Sequence, residues 1–339
     1  EGKVLSVFDP HAFLRAQTLL LGHAPKFMNN WSYPPQLLPW ILGFGLMPYR
    51  AAFALWTAAT FGLYAFAVCY RRPYPAKLTL LLLLAPASFV NLIDGQNGFL
   101  IAALLVGGLR LLDTRPVAAG ILFGLATVKP QLMPSVPVLL LCGRHWRATA
   151  AAILTTALMV GLSIALFGAE AWLAYIRETI PYQTHLLERA PAADHYGIAA
   201  SFVTIFMGAR ILGGSLAVAY GLSAVAALAA LWLVIRACLR APSAEIRNAF
   251  LLAATFIATP YAHVYDLPLL NAALVMLLAD AATKDAPPTV TETLAIGAIW
   301  LLPLYAFHFN RLGLPLAPLS LVAFAAMLWL RLRRACRTA

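Results

Sequence analysis

Lys129 lies in LATVKPQLMP, Leu125–Pro134, a run that is otherwise almost wholly apolar. A lysine held at membrane depth costs about 2.5–3.5 kcal/mol on insertion scales, so it calls for a partner or a water-filled cavity. A phosphate is one such partner, because lysine binds it as a compact point charge; a side chain that snorkels to the headgroups is the other reading. Pro130 removes a backbone donor and disfavours helix at Val128, which predicts a helix break. A helix restarting near Gln131 would aim N–H donors at the same anion.

Three more clusters carry chemistry. Asp94-Gly95-Gln96-Asn97-Gly98 interrupts the apolar run from Leu80 to Leu112. Its glycines suit a plain turn, whereas the amides of Gln96 and Asn97 can bond several sugar hydroxyls and Asp94 can accept a hydrogen bond or a proton. Thr259-Pro260-Tyr261-Ala262-His263-Val264-Tyr265-Asp266 sets an imidazole, a carboxylate and two phenols between apolar arms. His263 can donate to a phosphate oxygen or carry a proton, and Asp266 can orient a histidine, bind a hydroxyl or neutralise Lys129. In Asn30-Trp31-Ser32-Tyr33-Pro34-Pro35, two rings precede a doubled proline that holds the chain extended. Trp31 and Tyr33 can stack on a sugar or line a lipid path, and a belt of interfacial aromatic residues is the competing reading. Neither a metal-ligand spacing nor a nucleotide loop is present, so no cofactor is expected, with a divalent cation left open.

These residues need a scaffold, and the composition says which. Of 339 residues 62% are hydrophobic and 11% charged, far from a soluble domain, so the fold class is all-α, a polytopic transmembrane helical bundle. The net charge of +11 sits at helix ends and forms no basic patch interleaved with aromatic rings, which argues against a nucleic-acid partner. Apolar segments fall at about 48–70, 76–92, 97–112, 116–128, 131–142, 147–167, 215–238, 247–261, 264–280, 290–307 and 314–331. The pairs divided near Asp94 to Asn97, at Lys129-Pro130 and around His263 have arms too short for a full span, so broken or re-entrant helices are expected there. Residues 1–47 are too polar and proline-rich to span. Asp9 as N-cap, Pro10 at the first helical position and Gly22 as a stop predict a short amphipathic helix at the interface.

Threading the segments alternately places Arg71, Arg72, Lys77, Arg110, Arg115, Arg144, Arg147, Arg236, Arg240, Arg247, Lys284 and Arg331, Arg333, Arg334 and Arg337 on one side. The positive-inside rule makes that side the cytoplasm. Cys69, Cys142, Cys238 and Cys336 fall near it, where thiols stay reduced. The other face collects residues 1–47, the three breaks, the segment 168–213 and the turn at His308 to Arg311. There Asp9, Asn29, Trp31, Tyr33, Gln96, Asn97, Gln131, Tyr182, Gln183, His185, His195, Tyr265 and Asp266 converge from distant parts of the chain. Three regions result: an extracytoplasmic loop over 1–47, a membrane domain over 48–332 with the extracytoplasmic segment 168–213, and a basic cytoplasmic tail over 333–339.

The blocks "NWSYPP" with "LMPYRAAFALW", "NLIDGQNGFL", "AAGILFGLATVKPQL" with "RHWRA", "FGAEAWLAYI" and "ATPYAHVYDLPLL", in that order across residues 5–280, resemble bacterial glycosyltransferase family 87. Those are membrane enzymes of the GT-C superfamily, alpha-mannosyltransferase-like, that use polyprenyl-phosphate sugars. The resemblance implies a GT-C-like bundle with interfacial helices on the extracytoplasmic side of a bacterial inner (plasma) membrane. It implies inverting transfer of a hexose, such as mannose, from a lipid-linked donor to a lipid or glycan acceptor. An acidic residue in the first extracytoplasmic loop is expected to be the general base. The chain is expected to start inside that loop, beyond the first transmembrane helix, which leaves Asp9 as the nearby acid and the base itself open to lying upstream of Glu1. Lys129, with His263, is then expected to hold the donor phosphate, and Asp94, Gln96, Asn97, Asp266, Tyr33 and Trp31 to bind sugar or acceptor. A transporter or lipid-linked-glycan flippase would also use broken helices, but it predicts internal repeats and midplane polar groups. The polar groups here gather at one face. A non-catalytic homologue is the third reading.

Overall fold

A bilayer offers the backbone no water, so every peptide group in it must be satisfied within a helix or enclosed by protein. The protein, described by a computed structural model, follows that rule. The structure describes residues 4–25, 30–70, 75–189, 191, 197–241, 243–284 and 287–338, the last four by backbone alone. Asn29, Arg71, Arg72, His195 and the side chains of Cys336 and Arg337 lie outside the described residues.

In chain order the helices are α1 (Pro10–Leu21), α2 (Leu38–Ile41), α3 (Tyr49–Cys69), α4 (Ala76–Leu83), α5 (Pro86–Asp94), α6 (Gly98–Leu111), α7 (Pro116–Ala126), α8 (Ser135–Cys142), α9 (Trp146–Phe167), α10 (Ala169–Ala174), α11 (Ile180–Glu188), α12 (Ile205–Ile211), α13 (Leu216–Arg240), α14 (Ala244–Ala258), α15 (Pro268–Thr283), α16 (Val290–Arg311) and α17 (Leu316–Thr338). Each apolar segment read from the sequence is helical over most of its length. Among the described residues α3, α9, α13, α16 and α17 are long and apolar enough to cross a membrane, and α4 with α5, bent by 41° between them, makes a sixth as a broken span. Helix α17 continues through residues 333–338.

Continuity and burial are divided between two populations of helices. The long ones present large apolar side chains outward, such as Leu154 and Leu158 of α9 and Val225 and Leu228 of α13. The short ones, α6, α14 and α15, are buried along almost their whole length. Broken backbone is therefore confined to places where protein surrounds it. Close approach also matters at the α7–α9 seam. A Cβ at Gly120 would lie 2.2 Å from the Ala148 carbonyl oxygen and one at Gly124 2.6 Å from Thr155 Cβ, so this pair of glycines four residues apart lets two backbones touch.

Opposite ends of the bundle differ in character. One end holds ion pairs, Arg110 with Glu245 at 2.5 Å, Arg247 with Asp113 at 2.8 Å and Lys284 with Asp280 at 2.8 Å. The other end holds the three helix breaks and is roofed by the N-terminal segment and the α10–α11 arch. As expected, Asp9 caps α1, its Oδ1 accepting from His11 N at 2.8 Å and Ala12 N at 3.1 Å, and Gly22 ends the helix at φ 73°. Phe8 anchors this segment by burying itself against Leu38, Ala171 and the Tyr175 ring. Between α10 and α11 the helix widens into a π-turn at Tyr175–Thr179.

Gly98, the first residue of α6, sits where two breaks touch. A Cβ there would lie 2.0 Å from the Tyr265 carbonyl oxygen and 2.3 Å from Asn91 Nδ2, with backbone on one side unable to yield. Gly98→Ala is expected to destabilise the protein by about 1–3 kcal/mol through overpacking. Gly221→Ala in α13, where nothing lies within 4 Å of the added carbon, serves as the control. Unfolding in detergent should show a lowered Tm for the first and none for the second.

Candidate functional site

The break between α7 and α8 is the one that Pro130 forces. Lys129 leaves the helical region, at φ −131° and ψ 72°, as a residue before proline must. The helix N-terminus expected near Gln131 does not form. Pro130–Leu132 is a single 3-10 turn, with the N–H groups of Leu132 and Met133 donating to the carbonyls of Lys129 and Pro130, and α8 begins only at Ser135. A proline at 130 and another at 134 space the helix away from the lysine.

What the turn does instead is aim Lys129 inward. Its side chain is 1% exposed and its Nζ lies 2.5 Å from Asp266 Oδ1, in the break between α14 and α15. Nζ also donates to Asn97 Oδ1 at 3.3 Å, in the break between α5 and α6. Two phenol rings flank the ammonium, with centroids 4.6 Å away for Tyr265 and 5.9 Å for Tyr33. The second oxygen of Asp266 accepts from the His263 backbone N–H at 3.1 Å, which closes the 3-10 turn Val264–Asp266. One carboxylate thus neutralises a cation and caps a turn. Of the roles open to Asp266 in the sequence, the pairing with Lys129 is the one the structure displays.

Hydrogen bonds extend this centre outward. Asn91 Nδ2 donates to the Tyr265 carbonyl at 2.7 Å, Tyr33 Oη to Gln96 Oε1 at 3.1 Å and Gln36 Nε2 to Thr127 Oγ1 at 3.2 Å. His263 Nδ1 shares a hydrogen bond of 2.7 Å with Ser201 Oγ, and its ring lies on Phe202 at 4.0 Å. A lone antiparallel bridge pairs Phe202 with His263, and Asn310 Nδ2 holds the strand-like segment by donating to the carbonyls of Ala200 and Phe202 at 2.9 Å. Burial in this apolar setting, with the Lys129 charge nearby, lowers the His263 pKa to about 3. His263 is therefore neutral at ordinary pH. It adds hydrogen bonds to the site and no positive charge.

The remaining sequence candidates are placed less centrally. Trp31 stands edge-on to Tyr33 at 5.5 Å. Asp94 is exposed at the end of α5, one residue before Gly95 at φ 60°. Asp9 keeps its capping role in α1, where the Ala12 and His11 N–H groups and nearby positive charge outweigh partial desolvation and lower its pKa. Among the described residues no group of three or more His, Cys, Asp or Glu is gathered as for a metal ion.

At the same end of the bundle lies a cavity of about 220 Å³ whose lining includes neither Lys129 nor Asp266. Ser32, Gln131, Thr179, Gln183 and Tyr261 line it, with Tyr175 and Thr184 beside them. Gln183 organises it: its Nε2 donates to Ser32 Oγ at 2.8 Å and its Oε1 accepts from the Tyr261 hydroxyl. The π-turn supplies Tyr175 and Thr179, a placement seen often for such turns at functional sites. Gln183 and Tyr261 were visible as polar residues on this face, but nothing in their spacing says that residues 78 apart would meet. Two buried donors, Trp31 Nε1 and Asn97 Nδ2, have no acceptor among the described residues. An oxygen-rich ligand is the kind of group that completes such donors.

Comparison with known proteins adds one match. Residues 31–260 fit the family model described as glycosyltransferase family 87, a span that holds Trp31, Tyr33, Asp94, Gln96, Asn97, Lys129 and Gln183 and ends just before Tyr261. No curated protein and no solved structure matches the chain.

Two measurements probe this geometry. Lys129→Met leaves Asp266 buried and unpaired, an expected loss of about 3–5 kcal/mol. Adding Asp266→Asn, which keeps an acceptor for the His263 N–H, should recover most of that loss in unfolding experiments. The second concerns pH. Below about pH 6.5 the unfolded chain protonates His263 while the folded chain does not, so stability falls with pH by up to about 1.4 kcal/mol per unit down to the folded value. Unfolding followed between about pH 7 and 5 should show this slope, and His263→Gln should flatten it.

Proposed function

The chain belongs to glycosyltransferase family 87 and is a membrane glycosyltransferase, and from that premise we propose that it moves a hexose, mannose being the leading choice, from a polyprenyl-phosphate donor to a lipid or glycan acceptor with inversion. The reaction belongs to the extracytoplasmic face of a bacterial plasma membrane, at the end of the bundle where the helix breaks meet, with the C-terminus of α17 in the cytoplasm. The bias of basic residues toward the opposite end supports this orientation.

The observation that carries the proposal is the cavity of about 220 Å³ in which the hydroxyls and amides of Ser32, Gln131, Thr179, Gln183 and Tyr261 are set beside apolar Ile180 and Leu187. A sugar presents hydroxyls that both donate and accept, and Ser, Thr, Tyr and Gln side chains do the same. Its lipid carrier needs an apolar path, which a membrane protein supplies without any nucleotide loop. Transfer requires an acceptor hydroxyl to lose its proton while a phosphate leaves with added negative charge. Lys129 and Asn97 are assigned to the phosphate. At rest Asp266 neutralises Lys129, so the buried ammonium is not left bare before the donor binds. Neutral His263 supplies a hydrogen bond. Gln96, Tyr33 and Trp31 are assigned to the sugar or acceptor, as is Asp94 at the rim. Asp9 is the candidate base: its lowered pKa keeps it ionised, as a base must be, and moderates its basicity.

Transfer is tested with radiolabelled polyprenyl-phosphate hexose and a bacterial lipid extract in proteoliposomes. Label should enter an acceptor covalently, and Gln183→Ala or Tyr261→Phe should lower the rate roughly tenfold to a hundredfold by removing hydrogen bonds to the sugar or to each other. Label that crosses the membrane unattached, or never leaves the donor, overturns the proposal.

A further inference from the structure

Helices α16 and α17 lie outside the span that defines the family, and between them runs a groove of about 880 Å³. Its walls are apolar from one end to the middle, with Leu294, Ala298, Ala323, Met327 and Leu330 among them. Tyr305 and Ser320, bonded to each other at 2.6 Å, interrupt it. From Glu292 to Tyr305 the helix rises about 20 Å at 1.5 Å per residue. That exceeds half of a hydrocarbon layer of about 30 Å, so this part of the groove is long enough for an acyl chain of one leaflet, and Phe309, Leu316 and Leu319 carry the groove on beyond Tyr305.

The mouth of the groove is charged. Glu292 is buried and caps α16 by accepting from the Thr289 N–H at 2.8 Å. Arg331 and Arg334 both reach it, at 3.4 Å and 3.5 Å, so two guanidinium groups meet one carboxylate. Arg333 is exposed beside them, and the Arg334 side chain is 61% exposed, open to the headgroup layer. Guanidinium groups suit phosphate because their N–H pairs match its oxygens. Basic pockets between transmembrane helices are a recurrent means of holding anionic lipid headgroups.

We propose that this groove is a binding site for an anionic phospholipid of the leaflet at the basic end, its phosphate on Arg331 and Arg334 and one acyl chain along the apolar wall. The charge complement chooses this occupant over a zwitterionic lipid, and the part of the groove before Tyr305 is long enough for an acyl chain of one leaflet. The site is separate from the polar cavity at the other end of the bundle.

The test uses the full chain in neutral detergent with phosphatidylglycerol or phosphatidylcholine of the same acyl chains added, read by thermal unfolding and by native mass spectrometry. Phosphatidylglycerol is expected to raise Tm by several degrees and to be retained as a bound adduct, with phosphatidylcholine giving little of either. Arg334→Gln, at an exposed position that should not disturb folding, is expected to weaken the response at least fivefold in the lipid concentration needed. Arg331→Gln with Arg334→Gln should abolish the preference, and Ala323→Trp should block binding by filling the wall. Equal responses to the two lipids, or an Arg334→Gln chain that responds as the wild type does, overturn the proposal. A change of oligomeric state on Ala323→Trp with no change in lipid retention also overturns it, since a second copy of the chain would then be the occupant.

Discussion

A fully buried ammonium touching a fully buried carboxylate is the constraint around which one end of this protein is arranged. Lys129 and Asp266 are 137 residues apart, and each comes from a place where a helix is interrupted. Neither would be tolerated alone in an apolar interior, where an unpaired charge costs several kcal/mol. Bringing them to 2.5 Å requires that the α7–α8 and α14–α15 breaks lie at the same depth. The α5–α6 break must join them, because Asn97 accepts from the same ammonium. Gly98 allows that junction by having no side chain where the Tyr265 carbonyl passes. The seam of Gly120 and Gly124 against α9 sits just upstream in α7 and fixes the height at which Lys129 emerges.

The charge pair also sorts the site into two parts with different physical characters. The sealed part, around Lys129, Asp266 and neutral His263, is buried and joined by hydrogen bonds, with Asn97 Nδ2 left without an acceptor among the described residues. The open part, around Gln183 and Tyr261, has room and a lining of groups that can change partners. A transferase needs both, since a leaving phosphate wants fixed positive charge and a sugar wants exchangeable hydrogen bonds. The breaks that create the sealed part are possible only because α3, α9, α13, α16 and α17 remain continuous around them and shield their backbone from lipid.

Much of this was legible in the sequence, for identifiable reasons. Apolar segments report helices because burial in lipid demands them, and prolines report breaks because they remove donors, as at Lys129-Pro130; the Asp94 to Asn97 turn was found by the polar side chains and glycines that interrupt its apolar run. Asp9, Pro10 and Gly22 delimited α1 through local rules alone. The pairing of Lys129 with Asp266 was within reach because a buried charge must have a partner and few candidates face it. Contacts set by tertiary docking were not legible. Gln183 meets Ser32 and Tyr261 only because the α10–α11 arch folds over the break, and no periodicity encodes that. The helix expected at Gln131 failed because a second proline, at 134, delayed the restart. The neutrality of His263 depends on burial that a sequence does not display.

The π-turn at Tyr175–Thr179 has a consequence for how this family can vary. A turn of this kind carries one residue more than α geometry would, so it takes up that residue between two helical stretches. Each residue turns an α-helix by about 100°. Loss of a single residue inside that turn, with the helix healing to α, would leave everything beyond it nearly in place, whereas loss of one from the α-helical residues between the turn and Gln183 would rotate Gln183 by that angle. Gln183 would then face away from Ser32 and Tyr261 while every apolar segment of the membrane domain stayed in place. Insertions and deletions in this arch therefore exchange the wall of the polar cavity without touching the bundle that carries it.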